Sequence, residues 1–295
     1  MNAQPWNFLL LVILGTFGAA SGVGETAPIP DFSGTYNHQG IPGFEPLASG
    51  STSLVNLHRR ERNVSNNRQL VGDYRNPILR PETAALVKTF GEMSLDHYGY
   101  PTPRNQCWPG GVPFEFTNNE IQMLQTPTEI LILYNGDHQI RHVRMNQSHP
   151  ARVTPSWYGD SVGHYEGDTL VIDTVGVKVG PYAMVDWYGT PHSPALHVIE
   201  RYRLLDYAAA KEGLERSAKE NVIPDFDGKF NETSQYLQLR FTVEDPVVFT
   251  TPWSATITYE RVNPQIWGED VCAENPRKYG TEKDVAVPTA GTPDF

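Results

Sequence analysis

Between Ile121 and Val262 the chain is a succession of short β-rich runs with little helix between them, and this pattern narrows the possible folds most. The runs are Ile121–Gln125, Glu129–Tyr134, Gln139–Asn146, Ser161–Tyr165, Thr169–Val175, Leu196–Leu205, Tyr236–Val243 and Ser254–Val262. Thr126-Pro127-Thr128 and Glu166-Gly167-Asp168 separate neighbouring runs where hairpins would turn. Ile130 to Tyr134 is continuously apolar, which predicts a strand covered on both faces. Two segments read as helix. Pro81 to about His97 has Pro and an acid in its first turn, and Ala84, Ala85, Leu86, Val87, Phe90 and Met93 as an apolar face. Tyr207–Glu220, capped by Asp206, is largely polar and predicts a solvated surface helix. Helices this few cannot alternate with the strands, which excludes a doubly wound parallel sheet. The expectation is a mostly β fold: an antiparallel sheet closed, or partly closed, into a lipocalin-like barrel with two peripheral helices. Such barrels often enclose a small-ligand cavity.

The remaining sequence bounds the setting. Phe8 to Ala20 is almost wholly apolar and runs into Ala19, Ala20, Ser21 and Gly22, the pattern of a cleaved signal peptide ending by residue 24. The segment before it carries no Lys or Arg, and an uncleaved anchor is the alternative. Residues 25–295 then form a single β-rich domain in the periplasm or outside the cell. It has an extended Pro/Gly-rich N-terminal segment and a polar C-terminal tail from Asn275. No later apolar segment is long enough to span a membrane. Two cysteines in an exported chain, Cys107 and Cys272, predict one disulfide, with two buried thiols as the alternative. A net charge of −11 argues against nucleic acid as a partner, since the one basic stretch, His58–Arg62, is short and interrupted by Glu61.

Chemistry concentrates between Gly189 and Arg203. In a regular strand Leu196, Val198, Glu200, Tyr202 and Leu204 share one face, and His197, Ile199, Arg201 and Arg203 the other. Glu200 therefore lies on the more apolar side and must be paired, hydrogen-bonded or protonated if buried. Two readings compete. Glu200 is a general acid or base working with His192 or His197, or it is half of a structural ion pair with an arginine such as Arg240 or Arg144. A metal set of His192, His197 and Glu200 fails on parity, so no metal and no cofactor are expected. Ser161 in Gly159–Gly163 matches G-x-S-x-G by letters but runs into a hairpin rather than a helix, and Ser193 has no such context. Trp157, Tyr158, Tyr165, Tyr182, Trp187 and Tyr188 offer the aromatic surface of a ligand pocket.

Several motifs resemble a family of exported bacterial β-rich proteins with no established activity. They are DFSGTY (31–36), CWPGGVP (107–113), His149-Pro150, PSWYG (155–159), EGDTLVIDTVG (166–176), His192-Ser193, ALHVIERY (195–202), TPW (251–253) and CAEN (272–275). Together they span nearly the whole mature chain. The resemblance implies a secreted or periplasmic β-rich protein and brings no activity with it. Trp157, His192, His197, Glu200 and Arg201 match the family's familiar residues, whereas Asp160 stands where a His is usual and His164 where an Arg is usual. The leading expectation is a protein that binds a small, partly apolar molecule through Trp157, Tyr165, Trp187 and Arg201. An enzyme (hydrolase, lyase or isomerase) using Glu200 with His192 or His197, and a structural envelope protein, are the alternatives.

Overall fold

The structure is a computed structural model that describes residues 29–38, 43–59, 64–66, 68–96, 101–117, 120–221, 229–264 and 267. The predicted signal peptide, the C-terminal tail and Cys272 lie outside the described residues, and so does the predicted Cys107–Cys272 pairing.

Alternating side chains build the sheet. Strands β3 (Glu120–Gln125) and β4 (Glu129–Tyr134) form a hairpin whose turn is held by Thr126, which accepts from the Glu129 N–H at 3.0 Å and donates to its carbonyl at 2.8 Å. In β4, Ile130, Ile132 and Tyr134 are buried while Leu131 and Leu133 are only half-buried on the outside. The continuous apolar run is thus an alternating strand with one dry face, not one covered on both. β5 (Ile140–Met145) pairs antiparallel with β4. β6 (Asp160–Glu166) and β7 (Thr169–Val175) form the second predicted hairpin, with Gly167 at φ 62° in the turn, a conformation that favours Gly. β8 (His197–Leu205), β9 (Tyr236–Glu244) and β10 (Trp253–Val262) follow in antiparallel order.

Two short strands outside the predicted set complete the wall. β1 (Gly34–Asn37) pairs with both β3 and β10, closing nine strands into a ring. β2 (Glu45–Pro46) continues along the same edge of β10, at Ala255 and Thr256. The closed barrel with two peripheral helices is as expected, with one change: the sheet is mixed. β5 and β6 are parallel, because residues 146–159 cross back along the outside before β6 begins. Closure removes the unpaired edges that an open sheet would present. A one-residue slip of any strand would turn its buried set outward.

The helices flank this wall. α1 (Pro81–Asp96) starts where the Thr83 hydroxyl donates to the Val248 carbonyl at 3.1 Å and buries Val87, while Leu86 and Met93 stay exposed. Its buried face is narrower than its apolar face. α2 (Tyr207–Glu220) is capped as predicted, with the Asp206 carboxylate accepting from the Ala209 N–H at 2.9 Å. It is not a solvated helix, however. Ala210, Gly213, Leu214 and Ser217 are buried against the outside of the barrel. Gly213 is required by that approach, since a Cβ there would come within 2.6 Å of the Thr258 hydroxyl. Among the described residues no helix is long and apolar enough to cross a membrane.

Candidate functional site

Inside the barrel, parity places Glu200 as expected, and its partner is Arg141 of β5 rather than Arg240 or Arg144. The two are 0% and 1% exposed. Arg141 donates from Nη1 to Glu200 Oε2 at 2.9 Å and from Nη2 to Oε1 at 2.5 Å, a two-pronged ion pair. The Tyr202 hydroxyl donates to the same carboxylate at 2.8 Å. Arg141 also donates to Ser161, Tyr134 and Thr174, at 3.0, 3.3 and 2.5 Å. Burial opposes the charge on Arg141, but Glu200, Tyr134 and Tyr202 around it together outweigh that and hold the guanidinium protonated. Burial likewise keeps Tyr134 and Tyr202 in their neutral forms. Ser161 is therefore a spoke of a closed polar network and no nucleophile elbow. Glu200 meets neither predicted histidine there, because His197 points to the opposite, outer face of β8.

One end of the barrel is capped by aromatic residues. Trp157 meets Trp108 edge-on at 5.1 Å, and Trp108 meets Tyr182 at 6.2 Å. His192 lies beside them, buried, with Nδ1–H donating to the Ser193 carbonyl at 3.2 Å; burial lowers its pKa and keeps it neutral. Ser193 is locked onto Asp245, its hydroxyl donating at 2.8 Å. The recess among these rings holds only about 10 Å³, room for one water. Behind its wall stands Glu115, which sequence reasoning missed. It is 2% exposed, with Oε2 unpartnered among the described residues, and burial and the nearby Asp137 charge raise its pKa well above the ordinary range.

The other predicted ligand residues do not converge. Tyr165 closes the opposite end of the barrel, stacked on Phe32 at 6.4 Å. Trp187 donates from Nε1 to the Thr117 hydroxyl at 2.7 Å and leans on Phe114. Arg201 is on the outer surface, bonded to Glu166 at 2.5 Å. A single pocket lined by Trp157, Tyr165, Trp187 and Arg201 is thus not formed. Among the described residues no group of three or more His, Cys, Asp and Glu is disposed to hold a metal ion.

A roomier recess lies where α2 docks on the barrel. It has a volume of about 130 Å³, with Leu214, Phe230 and Tyr236 as apolar walls and Asn37, His38, Ser217, Lys229, Asn231, Thr258 and Glu260 as polar ones. A relay of hydrogen bonds sets the state of His38. The Gly43 N–H donates to Asn221 Oδ1 at 2.7 Å, which turns the Asn221 amide so that Nδ2 donates to the Ser217 hydroxyl at 3.1 Å. The Ser217 hydroxyl lies 3.3 Å from His38 Nε2, and in the tautomer where it donates its proton there the ring carries its hydrogen on Nδ1. Burial lowers the His38 pKa to about 4, so the ring is neutral near pH 7. His38 Nδ1 and Asn37 Oδ1 are buried and without hydrogen-bond partners among the described residues. They leave one donor and one acceptor unanswered on residues that line the recess. Glu45, underneath, accepts from Thr256 Oγ1 and Thr258 Oγ1 at 3.0 Å each and from the Thr258 N–H at 2.8 Å; burial nevertheless raises its pKa to about 7. A wider crevice of about 230 Å³ along residues 245–252 has no comparable pair, and its Asp245 already serves Ser193 and Val247.

No protein-family model, no curated protein and no solved structure matches the chain. The family likeness carried by the motifs therefore stands as a proposal.

Proposed function

We propose that this chain is an extracytoplasmic barrel that binds a small, partly apolar molecule in the recess between α2 and the wall formed by β1 and β10. The observation that carries the reading is the pairing of apolar walls with a neutral His38 donor and an Asn37 acceptor, both buried and unanswered. A recess of about 130 Å³ compares with the ~150 Å³ apolar cavity that takes up benzene. The chemistry favours a neutral ring or short chain bearing a donor and an acceptor side by side, as in a lactam. The apolar run Phe8–Ala20 and the family likeness support export to the periplasm or medium.

The test uses 2-pyrrolidinone and δ-valerolactam as probes, read by the His38 ring signals in NMR and by thermal shift. Both probes are expected to perturb His38, and Leu214→Phe, which fills the recess, is expected to abolish the effect while the protein stays folded. Because His38 stays neutral above about pH 4, its own titration is not expected to alter binding between pH 5 and 8. Silence of His38 toward both lactams, or unchanged binding in the Leu214→Phe protein, would overturn the assignment.

A further inference from the structure

We propose that the molecule taken up by the α2 recess is the end of a chain: a short peptide whose N-terminus is closed into a lactam ring, a pyroglutamyl peptide. The assignment rests on the recess taking a lactam, and what extends it is the surface next door. A broader groove of about 740 Å³ adjoins the recess, and Asn231 and Glu260 line both. The strand register shows how the two join. Asn37 of β1 pairs with Glu260 of β10, and Thr35 pairs with Val262. Residues two apart on a strand share a face. The wall that presents Asn37 and Glu260 to the recess therefore continues as Thr35 and Val262 in the groove. The step along it is about 7 Å, the length of two extended residues. The shared residues are held in place, since the Ser234 hydroxyl donates to Glu260 Oε1 at 2.6 Å and the Tyr236 hydroxyl to the Asn231 carbonyl at 2.7 Å.

The polar atoms along this path suit an amide chain. Asn231 Oδ1 accepts from the Thr233 N–H and hydroxyl, at 3.1 and 2.8 Å, and Gln235 Oε1 accepts from Arg261 at 2.6 Å. These bonds fix the orientation of both side-chain amides. They leave Asn231 Nδ2 and Gln235 Nε2 as donors, and Glu260 Oε2 as an acceptor, without hydrogen-bond partners among the described residues. Peptide carbonyls answer the two donors and a peptide N–H answers the acceptor.

The head of the chain is chosen by the recess. An open peptide N-terminus is an ammonium near pH 7, with donors and no acceptor. It has nothing to offer a donor at His38 Nδ1. A γ-lactam has one C=O for His38 Nδ1 and one N–H for Asn37 Oδ1, the two buried atoms left unanswered there. Its ring carbons meet Leu214, Phe230 and Tyr236.

The test compares dissociation constants, from NMR titration, for 2-pyrrolidinone, pyroglutamyl-alanine amide, a propyl-substituted 2-pyrrolidinone and alanyl-alanine amide. The pyroglutamyl peptide is expected to bind at least about tenfold more tightly than 2-pyrrolidinone, from the atoms added in the groove. The propyl lactam is expected to stay within about threefold of 2-pyrrolidinone, and alanyl-alanine amide to bind at least about tenfold more weakly than the pyroglutamyl peptide. Val262→Trp, which fills the groove outside the recess, is expected to erase the peptide's advantage and leave 2-pyrrolidinone unchanged. A pyroglutamyl peptide no tighter than 2-pyrrolidinone, a propyl lactam or an open dipeptide as tight as the pyroglutamyl peptide, or an advantage that survives Val262→Trp would overturn the chain assignment while the recess keeps its lactam. Silence toward 2-pyrrolidinone and the pyroglutamyl peptide alike would overturn the recess reading itself, and the chain with it.

Discussion

Replacing Glu200 with Gln asks whether the barrel interior holds a working acid or a structural ion pair. In the native protein each Glu200 oxygen accepts one guanidinium N–H, and Tyr202 adds a third short bond at 2.8 Å. A glutamine keeps one of those oxygens and puts an NH₂ group where the other stood, donor against donor with Arg141. Arg141 cannot discharge itself by losing a proton. Breaking a buried pair from one side in this way costs about 3–5 kcal/mol. In a domain of roughly 250 residues that is a fall in Tm of about 10 °C. The loss is expected to be the same at pH 5 and pH 8, because neither remaining partner titrates between them. Arg141→Met is expected to behave differently. It leaves a buried carboxyl that can take up a proton, so its penalty should shrink as pH falls. The double change Arg141→Met/Glu200→Leu removes both charges together and is expected to lie well above the sum of the singles, near the wild type in stability. Urea melts of the four proteins at the two pH values measure all of this. A Glu200→Gln protein as stable as the wild type, or more stable, would refute the structural assignment and return Glu200 to the strained groups typical of active sites.

Two further outcomes follow from buried groups elsewhere. The carboxyl of Glu45 has its folded pKa raised from the ordinary 4.5 to about 7, so it weakens the fold progressively as pH rises from about 4.5 to 7, by about 3 kcal/mol at the plateau. Glu45→Gln, whose amide can accept from the Thr258 N–H and donate to the two threonine hydroxyls, is expected to restore most of that at pH 8 and little at pH 4; equal effects at both pH values in chemical denaturation would contradict it. At Gly110 a Cβ would lie 1.8 Å from Glu115 Oε1, so Gly110→Ala is expected to cost about 1–3 kcal/mol and to change the emission of Trp108 and Trp157. Thermal melts and fluorescence spectra indistinguishable from the wild type would show that Glu115 is free to move aside.

What was legible in the sequence was whatever repeats every second residue. Parity alone put Glu200 inside and His197 outside, and the turn residues at Thr126 and Gly167 marked both hairpins. The partner of Glu200 was not legible. Arg141 lies 59 positions away and reaches Glu200 across the barrel, from a strand whose parallel neighbour depends on the outside crossover. Asp160 offered no local signal either, since its meaning rests on Arg144 of β5 and on His149 within that crossover.

The α2 recess shows the same limit from the side of function. Composition made α2 look solvated, because its polar residues outnumber its apolar ones. Its docking face is the spacing Ala210, Gly213, Leu214 and Ser217, where a glycine that weakens an isolated helix is what lets the helix touch Thr258. That strip was readable in principle, as small and apolar residues three and four apart. His38 was not, because it follows a four-residue strand in a segment rich in Pro and Gly. Its surroundings are made by Gly43, Ser217 and Asn221, brought together from opposite parts of the chain. Strand patterns report which side of a sheet a residue faces. A site of this kind exists only once β1 has closed the ring and α2 has settled on it, so its residues carry no common pattern along the chain, only a common place.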